Sequence, residues 1–200
     1  MPFLPRAWRG PAREYNEAVV KGWTALLAGD AAAAVPTAGE GAMKLTSPAF
    51  PHGQPIPRTH TGEGPDVSPP LKWESAPTGT RSFALICDDP DALPVAGKIW
   101  DHWLIWNIPA TVTELPEGVA RMEKVEALGG ARQGMNSWPR LGYHGPMPPP
   151  GSGVHHYRFR LYALDVLLDL PPRSNRKMLE QAMKGHVLAE AELVGTYERR

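Results

Sequence analysis

Three carboxylates and an imidazole stand close together in this chain. Asp88, Asp89 and Asp91 lie on the proline-broken stretch Asp88-Asp89-Pro90-Asp91-Ala92-Leu93-Pro94, and His102 follows in Trp100-Asp101-His102-Trp103-Leu104-Ile105-Trp106. A carboxylate beside an imidazole orients the ring and raises its pKa. Such a pair can do acid–base chemistry, help to hold a metal, or present a cation to an anionic ligand. The same residues also suit a proline-stiffened corner whose polar groups are satisfied internally. The run Phe83-Ala84-Leu85-Ile86-Cys87 before them reads as a buried strand, being short, apolar and bounded by turn signals. His102 to Trp106 reads as a second strand. If the two pair, Asp89 or Asp91 and His102 meet at one end of a sheet.

A further segment belongs to the same constellation. Gly151-Ser152-Gly153 follows the run Pro146-Met147-Pro148-Pro149-Pro150 and leads into His155-His156-Tyr157-Arg158-Phe159-Arg160-Leu161-Tyr162-Ala163-Leu164, which alternates as a strand does. Asp89, Asp91, His102, His144 and His155 or His156 could ligate a metal, but their spacing matches no tight ligand motif such as His-x3-His. Ser152 lies between glycines, yet Gly151-Ser152-Gly153 is not the nucleophile elbow Gly-x-Ser-x-Gly, and Ser137 has no better context for a hydrolase. A protein-interaction module is the third alternative to a small-ligand site.

The balance of charge excludes some partners. The 21 Lys and Arg are matched by 21 Asp and Glu, so nothing asks for nucleic acid or an anionic membrane. Glycine (20) and proline (23), spread among apolar runs, suggest a loop-rich β fold rather than disorder. Cys87 is alone, which leaves no internal disulfide, and inside a buried strand it reads as a small hydrophobe. No stretch approaches the roughly 20 apolar residues that cross a bilayer. With no uninterrupted apolar leader region visible, the default expectation is a cytoplasmic protein.

The elements divide into an N-terminal extension, residues 1–42, and a main domain, residues 43–200. In the extension, Tyr15, Ala18, Val19, Trp23, Leu26 and Leu27 recur at helical spacing, predicting an amphipathic helix over 12–28. Its stripe must be buried on the domain itself or on a partner, for example in a homodimer. In the main domain, short strands are expected at Lys44–Ser47, Leu71–Trp73 and Thr111–Leu115, and a last one within Glu192–Glu198. Glu117–Pro150 is expected to be mostly irregular. Ser174 or Asn175 can cap a helix with Met178, Leu179, Ala182, Met183 and Val187 on one face. Many short strands and few helices predict a mainly β, antiparallel sandwich with peripheral helices.

These segments together resemble the phosphatidylethanolamine-binding protein family, in its bacterial and archaeal branch of Raf-kinase-inhibitor-like proteins. Asp89-Pro90-Asp91-Ala92, Trp100 and His102 are similar to the family's first signature, and Gly153, His155 and Tyr157 to its second, Gly-x-His-Arg-Tyr. Gly142-Tyr143-His144-Gly145-Pro146-Met147-Pro148-Pro149 and the ending Gly185–Tyr197 also fit, over about Met43 to Arg199. The chain departs from the pattern at His156, where Arg is common, at Leu93, and at Asn136-Ser137-Trp138-Pro139. The resemblance implies a two-sheet β fold with a small pocket for a phosphate-like anion or phospholipid headgroup. Asp89, His102, His155, Tyr157 and a Pro148-Pro149 wall would form that pocket, with Asp91 and Trp100 shaping it. It implies a non-enzymatic binding protein without a cofactor, and a kinase or protease as protein partner. Within that pocket, Asp89 is expected to hold His102 as an imidazolium while the Tyr157 hydroxyl donates to the ligand.

Overall fold

The computed structural model describes residues 41–200. The helix expected over 12–28 lies outside the described residues. In chain order the strands are β1 (Lys44–Thr46), β2 (Leu71–Glu74), β3 (Ser82–Asp89), β4 (Trp100–Pro109), β5 (Glu114–Leu115), β6 (Lys124–Val125), β7 (Ala131–Gln133), β8 (Val154–Leu164) and β9 (Val187–Glu198). The α-helices among the described residues are α1 (Leu93–Ala96) and α2 (Arg176–Met183).

Leu45, Leu71, Trp73 and Leu115 are buried while their neighbours along β1, β2 and β5 face water. Those strands form a small antiparallel sheet, order β1-β2-β5, with Leu45 opposite Trp73 and Leu71 opposite Leu115. The long strands form the second sheet, order β6-β7-β4-β3-β8-β9, antiparallel throughout. Every residue of β3 is buried, because this central strand is covered on both faces. On one face Phe83, Leu85 and Cys87 pack with Trp103, Ile105, Phe159 and Leu161 against Leu45, Leu71 and Trp73 of the small sheet. On the other, Ala84 and Ile86 pack with Leu104, Trp106 and Tyr162 under Leu179 and Met183 of α2. Cys87 is an interior hydrophobe, its thiol pushed well up by burial.

The mainly β, two-sheet expectation holds, with differences that have physical reasons. Glu117–Pro150 is mostly irregular, as expected, but it contains one short hairpin: Lys124 pairs with Arg132 and Val125 with Ala131. The buried Gln133 ties this hairpin to the core. It accepts from the Trp103 indole at 2.6 Å and donates to the carbonyls of Ala120 and Met122 at 2.7 and 2.8 Å. Asn175 does cap α2, accepting from the Met178 N–H at 3.1 Å, but the helix stops at Met183 and Val187 already begins β9. The break comes at Gly185, whose φ of 81° suits a residue without Cβ. The last strand is much longer than Glu192–Glu198, because β8 offers it a full-length partner from Val154 to Leu164.

Candidate functional site

Side chains alternate across a strand, so Asp88 and Asp89 leave β3 on opposite faces. Asp88 goes to the α2 side. There Arg158 Nε, Arg160 Nη2 and Arg176 Nη1 lie 2.8, 2.6 and 2.8 Å from its carboxylate. Burial pushes its pKa up, but the guanidiniums of Arg160, Arg176 and Arg158 outweigh burial and hold the carboxyl below its ordinary value. Asp89 goes to the other side. It caps the 3-10 turn Pro90–Ala92, its Oδ1 accepting the Ala92 N–H at 3.2 Å, with Pro90 at the first position of the turn. That turn runs straight into α1, which Gly97 closes in the left-handed region at φ 71°. The acidic stretch is therefore a capped helical turn rather than an extended loop.

A β-bulge places His102. Cys87 pairs with Trp103 but Asp88 pairs with Asp101, so His102 is the additional residue of β4. Bulges re-aim side chains. Here Asp101 points to Arg176 on the α2 side, whereas His102 turns back to the face of Tyr157, ring centroids 5.1 Å apart. The expected Asp89–His102 pair is not what holds this ring. His102 Nδ1 lies 2.5 Å from the carbonyl oxygen of His144. Burial lowers the His102 pKa, and the His144 carbonyl and Asp89 only partly restore it. The expected imidazolium is thus disfavoured at this position, burial favouring the neutral ring.

The partner of Asp89 is His155. His155 and Tyr157 alternate onto the cavity side of β8, and His155 Nδ1 donates to Asp89 Oδ2 at 2.7 Å. That hydrogen bond raises the His155 pKa against the opposing effect of burial. The other ring nitrogen, Nε2, lies 3.0 Å from Ser152 Oγ, and the Ser152 hydroxyl donates to the Pro149 carbonyl at 2.7 Å. The distances of Asp89, His155 and Ser152 are those of a Ser-His-Asp relay, but the proton directions differ. The serine proton is given to a carbonyl, which can only accept, so Nε2–H donates to Ser152 rather than drawing its proton away. The arrangement clamps the Pro149–Ser152 rim instead of activating a nucleophile. Asp91, which would shape the pocket, sits outside it. Its Oδ2 accepts the His156 backbone N–H and pairs with the half-exposed His156 ring, both at 2.8 Å.

These groups surround a cavity of about 200 Å³ lined by Asp89, Ala92, Val95, Ala96, Trp100, His102, Trp138, Met147, Pro148, Pro149, His155 and Tyr157. Asp89, Trp100, His102, Pro148, Pro149, His155 and Tyr157 were singled out in the sequence, and all of them are here. Trp138, Met147 and the α1 residues were not. Trp138 packs edge-on against both Trp100 and His102, at 5.2 and 5.1 Å. The floor is polar and the rim apolar, with Val95 and Met147 exposed at the mouth. The Tyr157 hydroxyl is buried and meets no acceptor at ordinary hydrogen-bond distance and angle among the described residues, although Asp89 lies near enough to act on it. Burial first, then the Asp89 charge, push the phenol up, so it keeps its proton and remains a donor. Among the described residues no group of three His, Cys, Asp or Glu side chains is placed to hold a metal ion. None of their helices is long and apolar enough to cross a membrane.

Comparison with known proteins bears on the family and the fold. The family model described as phosphatidylethanolamine-binding protein matches residues 46–198. A UPF0098 protein of Pyrococcus horikoshii is 48% identical over 163 residues, 81% of this chain and 80% of its own length. Among solved structures, Escherichia coli YbcL is 34% identical with a TM-score of 0.74, over 80% of this chain and 100% of its own. A Chlamydia trachomatis homologue is 40% identical with a TM-score of 0.71, over 80% of this chain and 99% of its own. On the extent of these matches and the shared two-sheet fold, the chain belongs to the phosphatidylethanolamine-binding protein family.

Proposed function

We propose that this chain is a non-enzymatic binding protein whose cavity takes the oxyanion end of a small phosphate-like or headgroup-like ligand. The observation that carries the reading is the Tyr157 hydroxyl, 1% exposed as a residue and unpartnered, in a cavity whose mouth is apolar. A buried donor without an acceptor costs roughly 1–3 kcal/mol, and a ligand oxygen would relieve that cost. The His155 cation, fixed between Asp89 and Ser152, offsets the Asp89 charge beneath the ligand. Pro148 and Pro149 stiffen one wall, and Trp100 and Trp138 supply flat apolar sides for whatever the oxyanion is attached to. No side chain in the cavity is a poised nucleophile, which favours binding over hydrolysis.

Titration of the full chain with inorganic phosphate, followed by amide NMR, tests this. Shifts are expected at Asp89 to Ala92, His102 and His155, and Tyr157→Phe should weaken binding about tenfold. A wild-type spectrum unmoved by phosphate overturns the proposal.

A further inference from the structure

The polar floor of the cavity holds two acceptor groups with capacity to spare, His102 and Asp89. His102 Nδ1 faces the carbonyl oxygen of His144, and a carbonyl accepts only. The proton of the neutral ring therefore sits on Nδ1, and Nε2, the nitrogen left to the cavity, carries a lone pair. Asp89 is a second acceptor: one of its oxygens takes His155 Nδ1–H and the other the Ala92 N–H. A carboxylate offers about four lone-pair sites, so acceptor capacity remains. His155 has no proton to spare, since its ring nitrogens are engaged by Asp89 and Ser152. Against these acceptors the lining residues set the Tyr157 O–H and the Trp100 Nε1–H, both buried and without a hydrogen-bond partner among the described residues.

We infer that the site selects an oxyacid that still carries one of its own protons, as a phosphate monoester monoanion does, with the P–OH donated to His102 Nε2 and a P–O⁻ accepting from the Tyr157 hydroxyl. This narrows the anion-binding reading and rests on it. A fully ionised dianion sets bare oxygens against the His102 lone pair and the Asp89 carboxylate, leaving an acceptor facing acceptors. A phosphodiester has the right charge but no proton to give. Specificity of this kind is large, because the wrong ligand leaves buried polar groups unpaired.

The titratable groups around His102 are Asp89 and, on the other face, Asp88 on β3, His155 and Tyr157 on β8, and His144 with its partner Asp66 in the loops. A pH effect could come from them instead of from the ligand, and the choice of ions separates the two. The full chain is titrated by NMR with methyl phosphate, dimethyl phosphate and sulfate, at about pH 5 and about pH 8, on either side of a monoester's second ionisation near 6. Sulfate is a dianion at both. Methyl phosphate is expected to bind about tenfold or more tightly at the lower pH, with sulfate weak and little changed and dimethyl phosphate the weaker ester at the lower pH. The inference is overturned if sulfate gains affinity in parallel, if dimethyl phosphate matches methyl phosphate, or if methyl phosphate binds better at the higher pH. In each of those cases anion binding itself survives. No shift of the cavity amides with any of the three ions removes the anion-binding reading and this inference together.

Discussion

Asp88 and Asp89 are neighbours in the chain, both buried, and built into opposite kinds of surroundings. Asp88 is saturated. Three guanidiniums from β8 and α2 reach it within 2.8 Å, and Arg176 goes on to Asp101 and Glu180. The result is a charge-balanced cluster that ties α2 to the sheet and takes up the Asp88 carboxylate, although the Arg160 Nε within it is buried without a hydrogen-bond partner among the described residues. Asp89 has one imidazole, one backbone N–H, and a cavity. The same side chain, one residue later and on the other face, is part of a polar set with an unpartnered phenol beside it. What separates the two carboxylates is that Asp88 is taken up by guanidiniums whereas Asp89 opens on a cavity.

The largest expected effect breaks the saturated side. Asp88→Asn leaves three guanidiniums, those of Arg160 and Arg176 buried, with a neutral partner, and removal of one member of a buried ion network costs about 3–5 kcal/mol. Urea unfolding should show that loss. A loss below about 1 kcal/mol, the range of exposed pairs, would erase the contrast between the two aspartates. Asp89→Asn should cost less, about 1.5–3 kcal/mol, as expected for a hydrogen bond to a charged group. It should also depend on pH in a set direction. The folded-state pKa of His155 is raised by its hydrogen bond to Asp89. The stability this supplies is fully present below the ordinary imidazole pKa of about 6.5 and is lost as pH rises through the higher folded value. The gap between wild type and Asp89→Asn should therefore be widest in mild acid and narrow toward alkaline pH. His102 runs the other way. Its folded pKa is lowered, chiefly by burial, so its contribution holds above about 6.5 and is lost as pH falls through the folded value. His102→Gln should flatten the acid side of the stability profile. An unchanged acid limb would mean that the ring is not buried neutral.

Much of this contrast was legible in residue types and spacing, and the part that was not has a common cause. Two-residue alternation along β3 and β8 already separates Asp88, Arg158 and Arg160 from Asp89, His155 and Tyr157. The family resemblance supplied the cavity residues on these strands. The partner of Asp89 was not legible, because it depends on the bulge at His102, a one-residue slip between Cys87–Trp103 and Asp88–Asp101 that no local pattern announces. Arg176 and Trp138 were missed as partners for a related reason. Each arrives from a helix or loop distant in the chain, where periodicity predicts an element but not the face it meets. Asp91 was misplaced because, two residues after Asp89 on what read as a stiff loop, it was assigned to the same rim. The 3-10 turn rotates it outward instead.

On the unsaturated side, Tyr157→Phe sharpens the contrast from the ligand's direction. It removes a buried hydroxyl that has no partner, so stability should stay within about 1 kcal/mol of wild type or rise, while phosphate affinity falls. A stability loss as large as that of Asp89→Asn would show that the hydroxyl is already satisfied in the free protein.

The smallest effect is expected where the same chemistry recurs without burial. Asp91 and His156 make a carboxylate–imidazole contact at 2.8 Å, almost the length of the 2.7 Å contact between Asp89 and His155. Distance therefore does not separate the pairs, but solvent does: the His156 side chain is 49% exposed and that of His155 3%. Water screens the outer pair, and the Asp91 carboxylate keeps the His156 backbone N–H whatever side chain stands there. His156→Ala should accordingly cost under about 1 kcal/mol and leave phosphate affinity within about twofold of wild type. A larger fall in affinity would bring Asp91 back into the site. An unfolding cost near that of Asp89→Asn would mean that burial is not what distinguishes two otherwise matched histidine–aspartate pairs.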